Sequence, residues 1–143
     1  MSTQLVTLSV DESVSLAEQL MRAMSVRHLP VLGEGDQLVG VVSDRDLLAA
    51  AASSLDDEDA QQARAKSRRV PVDEIMTRSV RVAEPTTPLL DAAVMMREHK
   101  ISCLPVVEDG ALVGLLTETD LVNVLINALQ SPGSAPHATP QQG

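Results

Sequence analysis

Gly40-Val41-Val42-Ser43-Asp44-Arg45-Asp46-Leu47 is the stretch on which the reading of this chain turns. Val41 and Val42 are β-branched, and Gly40 admits another backbone or a ligand at close range, as at the end of a buried strand. Ser43 stands where a helix N-cap belongs, and Leu47-Leu48 opens an apolar helical run. The same pattern returns 74 positions later as Gly114-Leu115-Leu116-Thr117-Glu118-Thr119-Asp120-Leu121. Both copies read Gly, two aliphatics, a hydroxyl residue, two variable positions, Asp, Leu.

Outward from these motifs the repeat continues. Arg27-His28-Leu29-Pro30-Val31 matches Ser102-Cys103-Leu104-Pro105-Val106 at an offset of 75, with Met1-Ser2 over Met76-Thr77 and Leu5-Val6-Thr7 over Val80-Arg81-Val82. The offset falls to 74 across one turn, Gly33-Glu34-Gly35-Asp36-Gln37 against Glu108-Asp109-Gly110, which is where a duplication tolerates a length change. Each copy predicts an extended segment (5–10 or 80–83), then a helix (14–24 or 89–99). The apolar residues Leu16, Leu20, Met21 and Met24, and Leu89, Ala92, Ala93 and Met96, fall at helical spacing. Two strands joined by a Gly/Asp turn follow (29–32 with 38–42, 104–107 with 112–116), and the motif starts a closing helix.

The fold class is therefore mixed α/β, with repeat 1 over residues 1–52 and repeat 2 over 71–130. A single repeat of about 55 residues buries too little on its own. The two are expected to pack sheet to sheet about a pseudo-two-fold axis. Between them, acids at Asp56–Asp59 and bases at Arg64, Lys66, Arg68 and Arg69 suit the dipole of a solvated linker helix over 53–70, ended by Pro71. The Pro/Gly-bearing tail, 131–143, is expected to be disordered.

Composition narrows the function classes. The 143 residues carry a net charge of −9, which repels nucleic acid and anionic membranes. No long apolar run or leader is visible, so a cytoplasmic location is expected. Aromatic content is 0%, so any flat ligand must lie between aliphatic groups. Cys103 is the only cysteine, and His28, His99 and His137 show no metal-ligand spacing.

Ser43-x-x-Asp46 and Thr117-x-x-Asp120 each fit a capping box, which needs no ligand. They also fit a binding site. A helix N-terminus behind a Gly-bearing strand offers N–H groups and a positive dipole end to phosphate. A hydroxyl there can donate to phosphate, and an Asp one turn on can accept from ribose hydroxyls.

The doubled pattern resembles the CBS domain pair, named from cystathionine β-synthase. The resemblance rests on Met76-Thr77, Ile101-Ser102-Cys103-Leu104-Pro105-Val106 and 114–121 in the second copy. In the first copy Val26-Arg27-His28-Leu29-Pro30-Val31 and 40–47 carry it. It implies two β-α-β-β-α repeats with two clefts for adenosine-containing ligands: AMP, ADP, ATP or S-adenosylmethionine. It implies Asp46 and Asp120 on ribose, Ser43 and Thr117 on phosphate, and backbone near Arg27-His28 and Ser102-Cys103 beside the adenine. Thr77 would line a cleft. Arg45 reads either as an exposed helix-start residue or as a phosphate contact. Chain order groups Arg27 with Arg45 in one cleft and Lys100 with Glu118-Thr119 in the other. No metal and no obligatory cofactor is expected. The leading expectation is a homodimeric, non-catalytic adenine-nucleotide sensor read by an unidentified protein partner. The alternatives are a dimerisation module with empty clefts, and an enzyme, for which the sequence offers no nucleophile–base pair.

Overall fold

The periodicity of residues 14–24 and the β-branched runs on either side of the Gly/Asp turns yield the expected helices and hairpins in both copies. The computed structural model describes residues 5–54 and 69–130, with the backbone alone for 52–54. β1 (Leu8–Ser9) leads into α1 (Val14–Met24), whose N-cap Ser13 accepts from the Leu16 N–H at 3.1 Å. β2 (His28–Leu32) and β3 (Leu38–Ser43) form an antiparallel hairpin, and β1 pairs with β2 in parallel, Leu8 opposite Val31. α2 (Asp44–Ser54) follows without a break. The second copy gives α3 (Leu89–His99), the antiparallel pair β4 (Cys103–Glu108) and β5 (Ala111–Thr117), and α4 (Glu118–Gln130). The register slips at equivalent places, between Val31 and Leu32 and between Val106 and Val107. Most of the linker region 53–70, all of the tail 131–143, and Met1-Ser2 lie outside the described residues.

The cores repeat as well. Leu8, Ala17, Met21, Leu29 and Val42 are buried together in the first copy; Ala83, Ala92, Met96, Leu104 and Leu116 occupy the equivalent places in the second. Met24 and Leu89 depart from the helical-stripe expectation, being 52% and 43% exposed. The extended segments expected over 5–10 and 80–83 shrink to the two-residue β1 and to a single parallel bridge, Ala83 to Val106. Ala83 N–H donates to the Pro105 carbonyl and its own carbonyl accepts from Val107 N–H. The next rung needs an N–H at Pro85, which has none.

The two copies are tied by backbone. Val72 and Met76, at the start of the second copy, pack into the first core, and Thr77 forms an antiparallel bridge with Val41 through bonds of 2.9 and 3.0 Å. Gln37 bridges Ala111 where the two turns meet. Among the described residues no helix is long and apolar enough to cross a membrane.

The Val41–Thr77 bridge explains Gly40. A methyl group at Gly40 would stand 2.8 Å from the Thr77 carbonyl oxygen and 2.7 Å from Met76 Sδ. Sulfur can swing aside, but the carbonyl belongs to the bridge. Gly40→Ala should therefore destabilise the fold by about 1–3 kcal/mol, the usual range for overpacking. Urea unfolding followed by far-ultraviolet circular dichroism measures it, and a midpoint equal to wild type would refute the close-approach account.

Candidate functional site

Both motifs form complete capping boxes, and these fix the acids at the ends of β3 and β5. Ser43 N–H donates to Asp46 Oδ2 at 2.8 Å, and Asp46 N–H donates to Ser43 Oγ at 3.1 Å. Thr117 N–H donates to Asp120 Oδ2 at 2.8 Å, and Asp120 N–H donates to Thr117 Oγ1 at 3.3 Å. Among the described residues, each carboxylate makes its hydrogen bonds through Oδ2, which leaves Oδ1 able to accept more. The copies differ in one bond: the Thr117 hydroxyl donates to Asp120 Oδ2 at 3.1 Å, whereas the Ser43 hydroxyl keeps its proton for another partner.

Each box borders a cavity built by both repeats. Cleft one, about 330 Å³, is lined by Ser43, Arg45 and Asp46 of the first motif, by Thr77 and Arg81, and by Lys100 to Cys103 of the second repeat. Cleft two, about 660 Å³, is lined by Thr117 to Asp120 of the second motif, by Leu5 and Val6, and by Met24 to Leu29 of the first repeat. Both volumes fall within the range of small-molecule sites. All ten singled-out residues border one cavity or the other. His28 and Ser102 border both.

Two expectations need correction. Chain order grouped Arg27 with Arg45 and Lys100 with Glu118-Thr119; the structure exchanges them, with Lys100 in cleft one and Arg27 in cleft two. The cause is the pseudo-two-fold packing, which sets the helix start of each repeat against the strand entry of the other. The N–H groups expected for phosphate at the start of α2 are also engaged. Asp44 N–H donates to the Arg27 carbonyl at 3.0 Å, Arg45 N–H to Asp44 Oδ1 at 3.0 Å, and Asp46 N–H to Ser43. At α4, Glu118 N–H donates to the Ser102 carbonyl at 3.2 Å. The carbonyls of Arg27 and Ser102 are thus committed within their own repeats. A phosphate in cleft one therefore does not find those N–H groups free. Arg81 and Ser25 were not singled out from the sequence. Their signal was present, since the 75-residue offset lays Arg81 over Val6 and Lys100 over Ser25.

His28 Nε2 and Ser102 Oγ lie 2.9 Å apart in the wall between the cavities. Burial lowers the His28 pKa from 6.5, with Arg27 acting in the same direction; Asp44, Asp46 and Glu118 oppose it. Cys103 is buried, and loss of solvent, reinforced by Asp120, pushes its thiol up to about 12. It stays a thiol at neutral pH and behaves as a small apolar residue. Among the described residues no group of three or more His, Cys, Asp and Glu could hold a metal ion.

Comparison with known proteins gives one family. Residues 1–53 and 72–127 match the model described as the CBS domain. A CBS domain-containing protein of Dictyostelium discoideum is 33% identical over 131 residues, which are 91% of this chain and 90% of that relative. The crystal structure of CBSX2 in complex with AMP aligns with a TM-score of 0.74 at 35% identity, covering 89% of this chain and 92% of that one. The CBS domain pair of protein MJ0100, in complex with 5′-methylthioadenosine and S-adenosyl-L-methionine, aligns at 0.75 with 26% identity, covering 89% and 92%.

The His28 wall makes a pH prediction. A base whose pKa is lower in the folded than in the unfolded state is protonated first in the unfolded chain, so acidification favours unfolding. The stability that His28 contributes is complete above about 6.5 and falls as the pH drops below it. Thermal midpoints from pH 7.5 to 5 should decline more steeply for wild type than for His28→Asn. Parallel curves would show that His28 titrates alike in both states.

Proposed function

The chain belongs to the CBS domain family, and on that premise we propose that it is a non-catalytic regulatory module whose two clefts take adenosine-containing ligands. The observation that carries the reading is the divided use of Asp46 and Asp120. Each caps its helix through Oδ2, makes no hydrogen bond through Oδ1 among the described residues, and borders a cavity, so capping leaves an oxygen for a ligand. Oδ1 would accept from ribose hydroxyls, charge-assisted bonds of about 1.5–3 kcal/mol. Ser43 would donate to phosphate. The adenine would lie among aliphatic groups beside residues 27–28 and 102–103. AMP in CBSX2, and 5′-methylthioadenosine with S-adenosylmethionine in MJ0100, support the ligand class. Filling a cleft would shift the packing between repeats toward the arrangement that holds ligand better, and an unidentified protein partner would read that shift.

The same reading includes a homodimer. Leu48 on α2 is 70% exposed, Leu125 on α4 is 56% exposed, and Val122, Ile126 and Leu129 are exposed beside it. α4 contributes no buried residue of its own. Light scattering should give about twice the 15.2 kDa chain mass, and Leu125→Asp should lower it to one chain. A wild-type mass of one chain at tens of micromolar removes the homodimer. A dimerisation module with empty clefts is the second reading, and the completeness of both capping boxes without any ligand favours it.

The absence of Trp and Tyr gives a direct test. The protein should absorb little near 280 nm, so a 260 nm band in nucleic-acid-free material would report a bound base. Calorimetry should find micromolar affinity for at least one of AMP, ADP, ATP and S-adenosylmethionine, near −8 kcal/mol. Asp→Ala in the occupied cleft should weaken binding about ten- to a hundredfold, with a cap loss of about 1 kcal/mol in stability. No heat with any of the four at hundreds of micromolar, and no 260 nm band, would leave the empty-cleft module as the reading.

A further inference from the structure

The two clefts share a plan and differ in charge. In cleft one the cations are Arg45, Arg81 and Lys100, facing Asp44 and Asp46. The positions equivalent to those cations in cleft two are Thr119, Val6 and Ser25, all uncharged and all on its wall. Cleft two keeps both acids, as Glu118 and Asp120, and gains only Arg27. Among the described residues, the formal charge of the lining thus changes from net positive to net negative between equivalent sites.

Two independent features point the same way. The start of α2 has its first N–H groups committed, so a phosphate there would draw its charge pairing from side chains. Cleft one has those side chains, together with a Ser43 hydroxyl free to donate; in cleft two the Thr117 hydroxyl already donates to Asp120. The space also differs: cleft two has about twice the volume, about 660 against 330 Å³, and Leu5, Val6, Met24 and Val26 give it apolar walls.

We propose that the clefts divide adenosine ligands by the charge of the 5′ substituent. Cleft one takes an adenosine with an anionic 5′ group, a nucleotide. Cleft two takes an adenosine whose 5′ substituent carries no net negative charge, as in a thioether or a sulfonium. This rests on the adenosine reading above and assigns the ligand class of each site within it.

The test is calorimetry of the full chain with AMP and, separately, with S-adenosylmethionine, whose net charge is positive. Asp46→Ala should weaken AMP about tenfold or more and leave S-adenosylmethionine within about twofold; Asp120→Ala should do the opposite. Lys100→Gly separates charge from folding. Lys100 ends α3 in left-handed backbone at φ 55°, where glycine is the preferred residue, so the fold should hold. AMP affinity should still fall about tenfold, with S-adenosylmethionine unchanged. The division is overturned if both ligands are lost together from one Asp variant, if either ligand weakens equally in both, or if Lys100→Gly leaves AMP unchanged. It is overturned too if wild type binds only one of the two. If wild type binds neither these ligands nor ADP, ATP and adenosine, the adenosine reading itself fails, an outcome distinct from the others.

Discussion

Two backbone hydrogen bonds between Val41 and Thr77 hold the molecule to its plan. They fasten the approach to the second repeat onto the last strand of the first. Val72 and Met76 are thereby drawn into the core of Leu8, Ala17, Met21, Leu29 and Val42. Gly40 is small because that approach is close, and Thr77 borders cleft one because the bridge carries it there. A repeat of this size cannot bury a sufficient core alone. The chain eases the shortage by lending the start of the second repeat to the core of the first, and that loan sets Thr77 on the wall of cleft one.

The capping boxes bear on an old ambiguity in reading such sequences. A hydroxyl and an acid three residues apart serve either a helix start or a ligand, and sequence alone presents these as rivals. In Asp46 and Asp120 they are not. A carboxylate has two oxygens with about four acceptor sites, and the helix start engages Oδ2. The cap also holds the acid in one rotamer before any ligand arrives, which reduces the ordering cost of binding. A structural role for the motif is thus compatible with a binding role.

Most of the fold was legible because duplication lets each copy check the other. α1 and α3 follow from the helical spacing of Met21 and Met96 and their neighbours, and the hairpins follow from Leu-Pro-Val and the Gly/Asp turns. What failed was information that no single repeat contains. The pairing of Lys100 with Arg45, and of Arg27 with Glu118, depends on how two repeats face each other across an axis, and proximity in the chain points to the wrong partner. That the ladder ends at Ala83, where the first copy continues to Ser9, was readable from Pro85; the absence of 80–82 from it was not. Met24 satisfied the helical stripe and yet lies on a cleft wall, because a stripe says which way a side chain points and not whether anything covers it.

The asymmetry of the two clefts begins at the wall between them. Across the repeat, His28 corresponds to Cys103 and Ser102 to Arg27, so the His28–Ser102 hydrogen bond has no like mate: its counterpart would join a cysteine to an arginine. Neither could replace it. Cys103 is buried with its thiol protonated, and Arg27 lines cleft two. With the first repeat's residues in both halves this contact would set a histidine against an arginine, and with the second's a cysteine against a serine. One histidine and one serine instead satisfy each other at 2.9 Å, and the imidazole stays neutral because burial opposes its charge. Among the described residues, Arg27 is the one Arg or Lys lining cleft two, with Glu118 and Asp120, while cleft one has three. A difference of one hydrogen bond at the dividing wall thus accompanies the difference in charge between the two halves of a duplicated chain.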